Sequence, residues 1–260
     1  MIRLGTSGFS YDDWVGHFYP EGIQKSDMLR YYAEHFDTVE VNYTYYRLPN
    51  ARTLSQMAAK TGEGFEFVIK ANREMTHERA EDPEVFRQFA EALTPLREQQ
   101  KFGCILAQFP YSFKPTREGA RYLRWFREQV PSELPTVVEF RNSQWVHEKA
   151  FELLEELSFG FCCVDEPDLR GLMPGVAVAT SPEVGYVRFH GRNAEKWFEH
   201  EEAWERYDYL YTEDELAEWV DKVKDLAEKT ERTYLFFNNH YQSKAVVNAN
   251  MFQQLLGMEV

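Results

Sequence analysis

The 260 residues, 43% hydrophobic and 28% charged, suffice for one large core or two small ones, and no apolar run approaches the ~18 residues of a membrane span. Forty-three acids against twenty-nine bases give a formal charge of -14, a mean field that repels nucleic acid and anionic membrane and leaves only a local positive cleft open to such partners. Residues 1–5 carry no apolar signal region, which makes the cytoplasm the default compartment, and three cysteines with Cys162 and Cys163 adjacent fit neither a disulfide framework nor a zinc spacing.

In chain order, short β-type apolar runs alternate with amphipathic stretches. The runs are 2–7, 38–42, 65–70, 103–108, 136–140, 160–164, 184–190 and 232–237. After the first run, Ser26-Asp27 is positioned to cap a helix reaching Phe36, with Met28, Leu29, Tyr32 and Phe36 about one turn apart. Asp82-Pro83-Glu84 puts proline in a first turn ahead of Val85, Phe86, Phe89 and Leu93. Thr212 and Glu215 form a capping box that opens a helix carrying Leu216, Trp219, Val223 and Leu226. Eight strand–helix repeats in one domain spanning 1–260 predict a (β/α)8 TIM barrel, with a doubly wound open sheet as the rival. The connection after His190 is unusually long and holds Trp197 and Trp204. It is a candidate lid on the catalytic face, or a plain surface excursion.

Alternation along a strand sorts side chains onto two faces. Glu40 and Asn42 oppose Val39 and Val41, and Lys70 opposes Phe67 and Ile69. Glu139 and Arg141 oppose Val138 and Phe140, and Arg188 and His190 oppose Val187 and Phe189. In a barrel the polar set points into the lumen, late in each strand, where barrel enzymes build their sites. Gln108, Asp165, Asn238 and Asn239 continue the ring, together with His240. Buried charges on this scale cost several kcal/mol each unless paired or wet. They therefore form either a structural ion-pair ring or, the preferred reading, a ligand-facing annulus. Its arginines suit a small-molecule anionic ligand. Trp14 is either a stacking wall or core packing under a loop, and His77 reads as a loop histidine.

On residue type and place, Glu139 is the candidate general base or nucleophile and Glu40 the second carboxylate. His190 is a proton shuttle. Lys70, Arg141 and Arg188 stabilise developing negative charge, and Asn42, Gln108, Asn238 and Asn239 orient the ligand. The expected reaction is hydrolysis or isomerisation of a small anionic or sugar-like metabolite, with no required cofactor. A metal-dependent phosphodiesterase or nuclease is the second reading, in which a divalent metal takes the carboxylates and histidines. No His-x-x-x-His motif exists, and interleaved Lys and Arg oppose a dication. A non-catalytic anion-binding barrel is the third.

The motifs Gly5-Thr6-Ser7-Gly8-Phe9-Ser10-Tyr11 with Trp14, Val39-Glu40-Val41-Asn42-Tyr43-Thr44-Tyr45-Tyr46, Gln108-Phe109-Pro110, Val138-Glu139-Phe140-Arg141, Arg188-Phe189-His190-Gly191 and Phe237-Asn238-Asn239-His240 run in order along nearly the whole chain. Together they resemble the domain of unknown function 72 (YecE-like) family. Tyr46 and Trp14, with Asp165, are further candidate ligand contacts. The resemblance implies a TIM barrel with shared polar residues at the strand ends, and it implies no known reaction. Its likeness to xylose isomerase and endonuclease IV type barrels is one of fold alone. The stretch 193–207 departs from the commoner pattern of that family.

Overall fold

The computed structural model describes residues 1–258. Its eight strands are β1 (Ile2–Thr6), β2 (Thr38–Val41), β3 (Glu66–Lys70), β4 (Phe102–Gln108), β5 (Thr136–Glu139), β6 (Phe159–Asp165), β7 (Val184–Phe189) and β8 (Arg232–Phe237). Every predicted run falls on one of these strands to within a residue at each end. All pairings are parallel, in the order β1-β8-β7-β6-β5-β4-β3-β2. The ends of that row meet where Ser7 bridges Glu40 and Gly8 N–H donates to the Glu40 carbonyl at 2.8 Å. The sheet therefore curls into a (β/α)8 barrel, and the open-sheet alternative is excluded.

The strands are connected by α1 (Lys25–Tyr32), α2 (Tyr43–Tyr46), α3 (Ala51–Ala58), α4 (Pro83–Ala92), α5 (Thr94–Glu98), α6 (Arg117–Gln129), α7 (Glu148–Glu156), α8 (Glu213–Ala217), α9 (Val220–Glu228) and α10 (Lys244–Leu255). Asp82 caps α4 through Glu84 N–H with Pro83 in the first turn, and Thr212 with Glu215 closes the expected capping box on α8. Two helix expectations need correction. The first helix starts at Lys25, after the uncapped Gln24, so Ser26 and Asp27 lie inside its first turn, and it ends four residues before Phe36. The helix after Thr212 breaks into α8 and α9 around Trp219, whose indole N–H is drawn inward to Asp165 Oδ2 at 2.7 Å.

One strand parity packs on the helices, as where Phe189 stacks on Phe237 at 4.5 Å and both meet Phe252 of α10. The other parity fills the lumen in layers. At the amino-terminal end Glu66 sits between Arg3 and Arg232 at 2.9 and 3.3 Å and accepts the Tyr234 hydroxyl. Above this layer lie Tyr186, Phe236, Val68 and Leu106, all buried, and above them a second ionic layer at the carboxyl end. The three cysteines are free and buried.

Candidate functional site

The second ionic layer is assembled from three strands, β2, β5 and β7. Arg188 of β7 spans the lumen between two carboxylates, with Nη2 2.6 Å from Glu40 Oε1 and Nη1 2.7 Å from Glu139 Oε2. The other Glu40 oxygen accepts the Tyr186 hydroxyl at 2.7 Å. The other Glu139 oxygen takes Arg141 Nε at 2.8 Å and His190 Nε2 at 3.1 Å. Glu40, Glu139 and His190 have no exposed surface. Burial drives the Glu139 carboxyl up, but Arg141, Arg188 and the His190 hydrogen bond overwhelm it and hold it well below the usual carboxylate range.

This geometry revises four expected roles. Glu139, with both oxygens committed to cations and an imidazole, is a poor base. Burial and the Arg141 charge lower the His190 pKa to about 3, so the imidazole is neutral. Asn238 Nδ2 lies 3.0 Å from His190 Nδ1 and donates to it, which leaves Nε2–H to donate to Glu139. His190 thereby orients the carboxylate instead of shuttling protons. Arg188 and Glu40 serve as an interior clamp, out of reach of a ligand above.

The ligand-accessible residues lie one level higher. A cleft of about 260 Å³ opens at the carboxyl ends of β4–β6, lined by Gln108, Arg141 and Glu166 from the barrel and Trp197, Arg206 and Tyr207 from the long connection after β7. That connection is a roof: Trp197 and Tyr207 approach the His190 ring to 6.5 and 6.1 Å, and Trp204 stacks on Tyr241 at 4.1 Å. The Arg206 guanidinium lies 5.9 Å from both the Trp197 and Tyr207 rings.

Glu166, which the strand pattern did not single out, also lines this cleft. Its Oε1 accepts Met173 N–H at 2.7 Å, whereas its buried Oε2 has no hydrogen bond and lies 3.6 Å from Arg141 Nη1. Burial raises its pKa to about 7, opposed by Arg141, so this carboxyl exchanges protons near neutral pH.

Lys70 and Asn42 also reach the carboxyl end of the lumen. Lys70 is half-buried, with its ammonium 4.9 Å from the Tyr45 ring. Burial, reinforced by the Arg188 charge, lowers its pKa to about 8. Asn42 Oδ1 is buried without a partner.

Four expected members do not join. Asp165 belongs to the opposite parity, turned toward the helices, where it accepts from Tyr211, Trp219 and Arg192 at 2.6, 2.7 and 2.7 Å. Asn239 likewise turns outward, donating to Asn248 Oδ1 and the Tyr209 carbonyl. Trp14 is fully buried, its indole N–H spent on the His240 carbonyl at 2.6 Å, so it is scaffold under a loop. Tyr46 is 76% exposed at the rim, and its neighbour Tyr45 covers Lys70 instead. Among the described residues no three His, Cys, Asp or Glu side chains form a metal-holding group.

Comparison with known proteins follows the same outline. The profile of the family described as "Protein of unknown function DUF72" matches residues 3–260. The chain is 31% identical to the UPF0759 protein YunF of Bacillus subtilis, over all of this chain and 96% of that one. It is 42% identical, with a TM-score of 0.91, to the crystal structure of a DUF72 family protein from Thermotoga maritima, covering 99% of both chains. D-psicose 3-epimerase, at 12% identity and a TM-score of 0.56 over 98% of this chain and 99% of that one, shares the barrel alone.

Proposed function

The chain belongs to the DUF72 family, and from that premise we propose that it is an enzyme that hydrolyses or isomerises a small anionic, hydroxylated metabolite held in the cleft beneath the 193–207 roof. One observation carries this reading: in a protein of charge -14, two arginines, Arg141 and Arg206, line one cleft at the carboxyl end of the barrel. Among the described residues Arg206 forms no ion pair and offers its charge between two aromatic rings. Arg141 spends Nε on Glu139 but keeps its outer nitrogens beyond hydrogen-bond reach of Glu166. An acid group entering here gains charge-assisted hydrogen bonds in a partly desolvated site. Glu166 is the proton carrier, since it faces the same cleft and titrates near neutrality. Gln108 contributes amide hydrogen bonds, and the buried Glu40–Arg188–Glu139–His190 core holds Arg141 in place through Glu139.

Calorimetric titration with a panel of sugar phosphates, sugar acids and their neutral parents tests this, with turnover followed by NMR. An acidic member is expected to bind at least about tenfold more tightly than its neutral parent. Arg206→Gln should erase about tenfold to a hundredfold of that affinity, the worth of one hydrogen bond to a charged group. Equal binding of acidic and neutral members, or indifference to Arg206→Gln, overturns the reading.

A further inference from the structure

Lys70 stands apart from the other lysines of the chain. Lys101 is also buried, but its ammonium donates to the Ala58 carbonyl, the Thr61 carbonyl and the Thr61 hydroxyl at 2.7–2.9 Å, so every proton is used. Lys25, Lys196 and Lys244 are ion-paired on the surface. The ammonium of Lys70, at the carboxyl end of β3, forms neither a hydrogen bond nor an ion pair among the described residues and rests only against the Tyr45 ring.

Its surroundings are built. The Thr44 hydroxyl donates to the Lys70 carbonyl at 2.6 Å, and Asn72 Nδ2 donates to the Thr44 carbonyl at 2.9 Å. These bonds tie α2 to the end of β3 and set Tyr45 over the amine. The His77 ring packs edge-on against Tyr45 at 5.0 Å, and burial and the Lys70 charge bring its pKa to about 4, so it is a neutral imidazole. Because Val41 pairs with Ile69, the next residues of the two strands, Asn42 and Lys70, are neighbours. The unpartnered amide oxygen of Asn42 therefore belongs to the residue next to Lys70 across the two strands. Arg141 is close enough for its charge to act on Lys70.

We propose that Lys70 is a nucleophilic amine that captures the carbonyl carbon of a small oxo-acid as an imine, with the Asn42 amide orienting the substrate oxygen and Arg141 holding the acid group. The acid-group part rests on the anion-binding reading above; the amine's reactivity does not. In the first step the neutral amine forms a C–N bond, and the carbonyl π pair moves to oxygen. That oxygen takes up the proton the nitrogen releases, giving a carbinolamine. In the second step the C–O bond breaks, the hydroxyl leaves as water with a proton from a neighbouring acid, and the nitrogen lone pair closes the protonated imine. Overall, ammonium and carbonyl give iminium and one water, with no oxidant or reductant. The iminium makes the adjacent C–H acidic, the chemistry an isomerisation requires.

With a pKa of about 8, roughly two- to three-hundredfold more of Lys70 is uncharged at pH 7 than of an exposed lysine. The test is incubation of the full chain at pH 7 with pyruvate, and separately with acetone, in the presence of cyanoborohydride, followed by peptide mass spectrometry. The expected result is one reduced adduct, at Lys70, forming at least about tenfold faster than on any exposed lysine. It disappears in Lys70→Arg, a variant that keeps charge and length. Pyruvate should label faster than acetone, and Arg141→Gln should remove that preference. Adducts spread over exposed lysines with Lys70 unmodified overturn the proposal. Equal labelling by acetone and pyruvate with no acidic-ligand affinity would refute the anion-binding reading while supporting the reactive amine.

Discussion

Replacing Arg188 with methionine is expected to destabilise the barrel by about 3–5 kcal/mol, the usual cost of removing one partner from a buried ion pair. The guanidinium lies between Glu40 and Glu139 at 2.6 and 2.7 Å, and neither carboxylate has exposed surface. After the substitution Glu139 retains Arg141 and His190, whereas Glu40 keeps only the Tyr186 hydroxyl. The penalty therefore concentrates on Glu40, which must either stay charged without a cation or take up a proton. Two consequences follow from that asymmetry. The deficit should shrink as the pH is lowered toward 5, and adding Glu40→Gln should recover part of it. Urea unfolding of the two variants at pH 5 and pH 8 measures both. A loss under about 1 kcal/mol at pH 8 would mean that water reaches the layer and screens it.

Glu166→Gln should stabilise the protein at pH 8 and leave it nearly unchanged near pH 4.5. The folded-state pKa of Glu166 is raised from 4.5 to about 7 by burial, so between those values the folded chain binds the proton more strongly than the unfolded chain. The stability this contributes is complete below about 4.5 and is lost as the pH rises through 7. At 1.36 kcal/mol per unit, the loss is roughly 3 kcal/mol as an upper figure. Glutamine does not titrate, keeps the acceptor for Met173 N–H and avoids the loss. The same substitution removes the proposed proton carrier, so turnover on any substrate found by the panel should fall by about 10²–10⁴, the range of general acid–base catalysis. Higher stability with abolished activity is the signature of a strained functional group. If the stability difference is the same at pH 4.5 and pH 8, folding does not raise the Glu166 pKa and the assignment fails.

The two effects separate the layers by role. The Glu40–Arg188–Glu139 layer is a structural ion-pair ring in place of a ligand-facing annulus, and the accessible cleft lies just above it. A buried charge layer of this kind is retained at a risk to stability. Here it fixes Arg141 through a saturated Glu139, as a supporting shell fixes a ligand-binding group.

The barrel was legible in the chain because eight apolar runs at barrel spacing leave few alternatives, and the inward set of Glu40, Lys70, Glu139, Arg141, Arg188 and His190 was legible because each sits on a strand whose two faces differ in polarity. Where that contrast vanishes, the reading failed. In β6 both faces are apolar from Phe159 to Val164, so nothing local indicates which of Asp165 and Glu166 faces the lumen. The pairing of Val164 with Arg188 settles it: Val164 and Glu166 point inward and Asp165 outward. Asn238 and Asn239 pose the same one-residue ambiguity at the end of β8, resolved when Asn239 engages Asn248 of α10. Composition shows that a connection rich in Trp, Glu and Arg follows β7, but only the folded chain lays Trp197, Arg206 and Tyr207 across the cleft. Protonation was the least accessible property of all. Residue type made Glu139 the base and His190 the shuttle, yet a pKa depends on every charge and every lost water around the group. Those surroundings are brought together by strands far apart in the sequence.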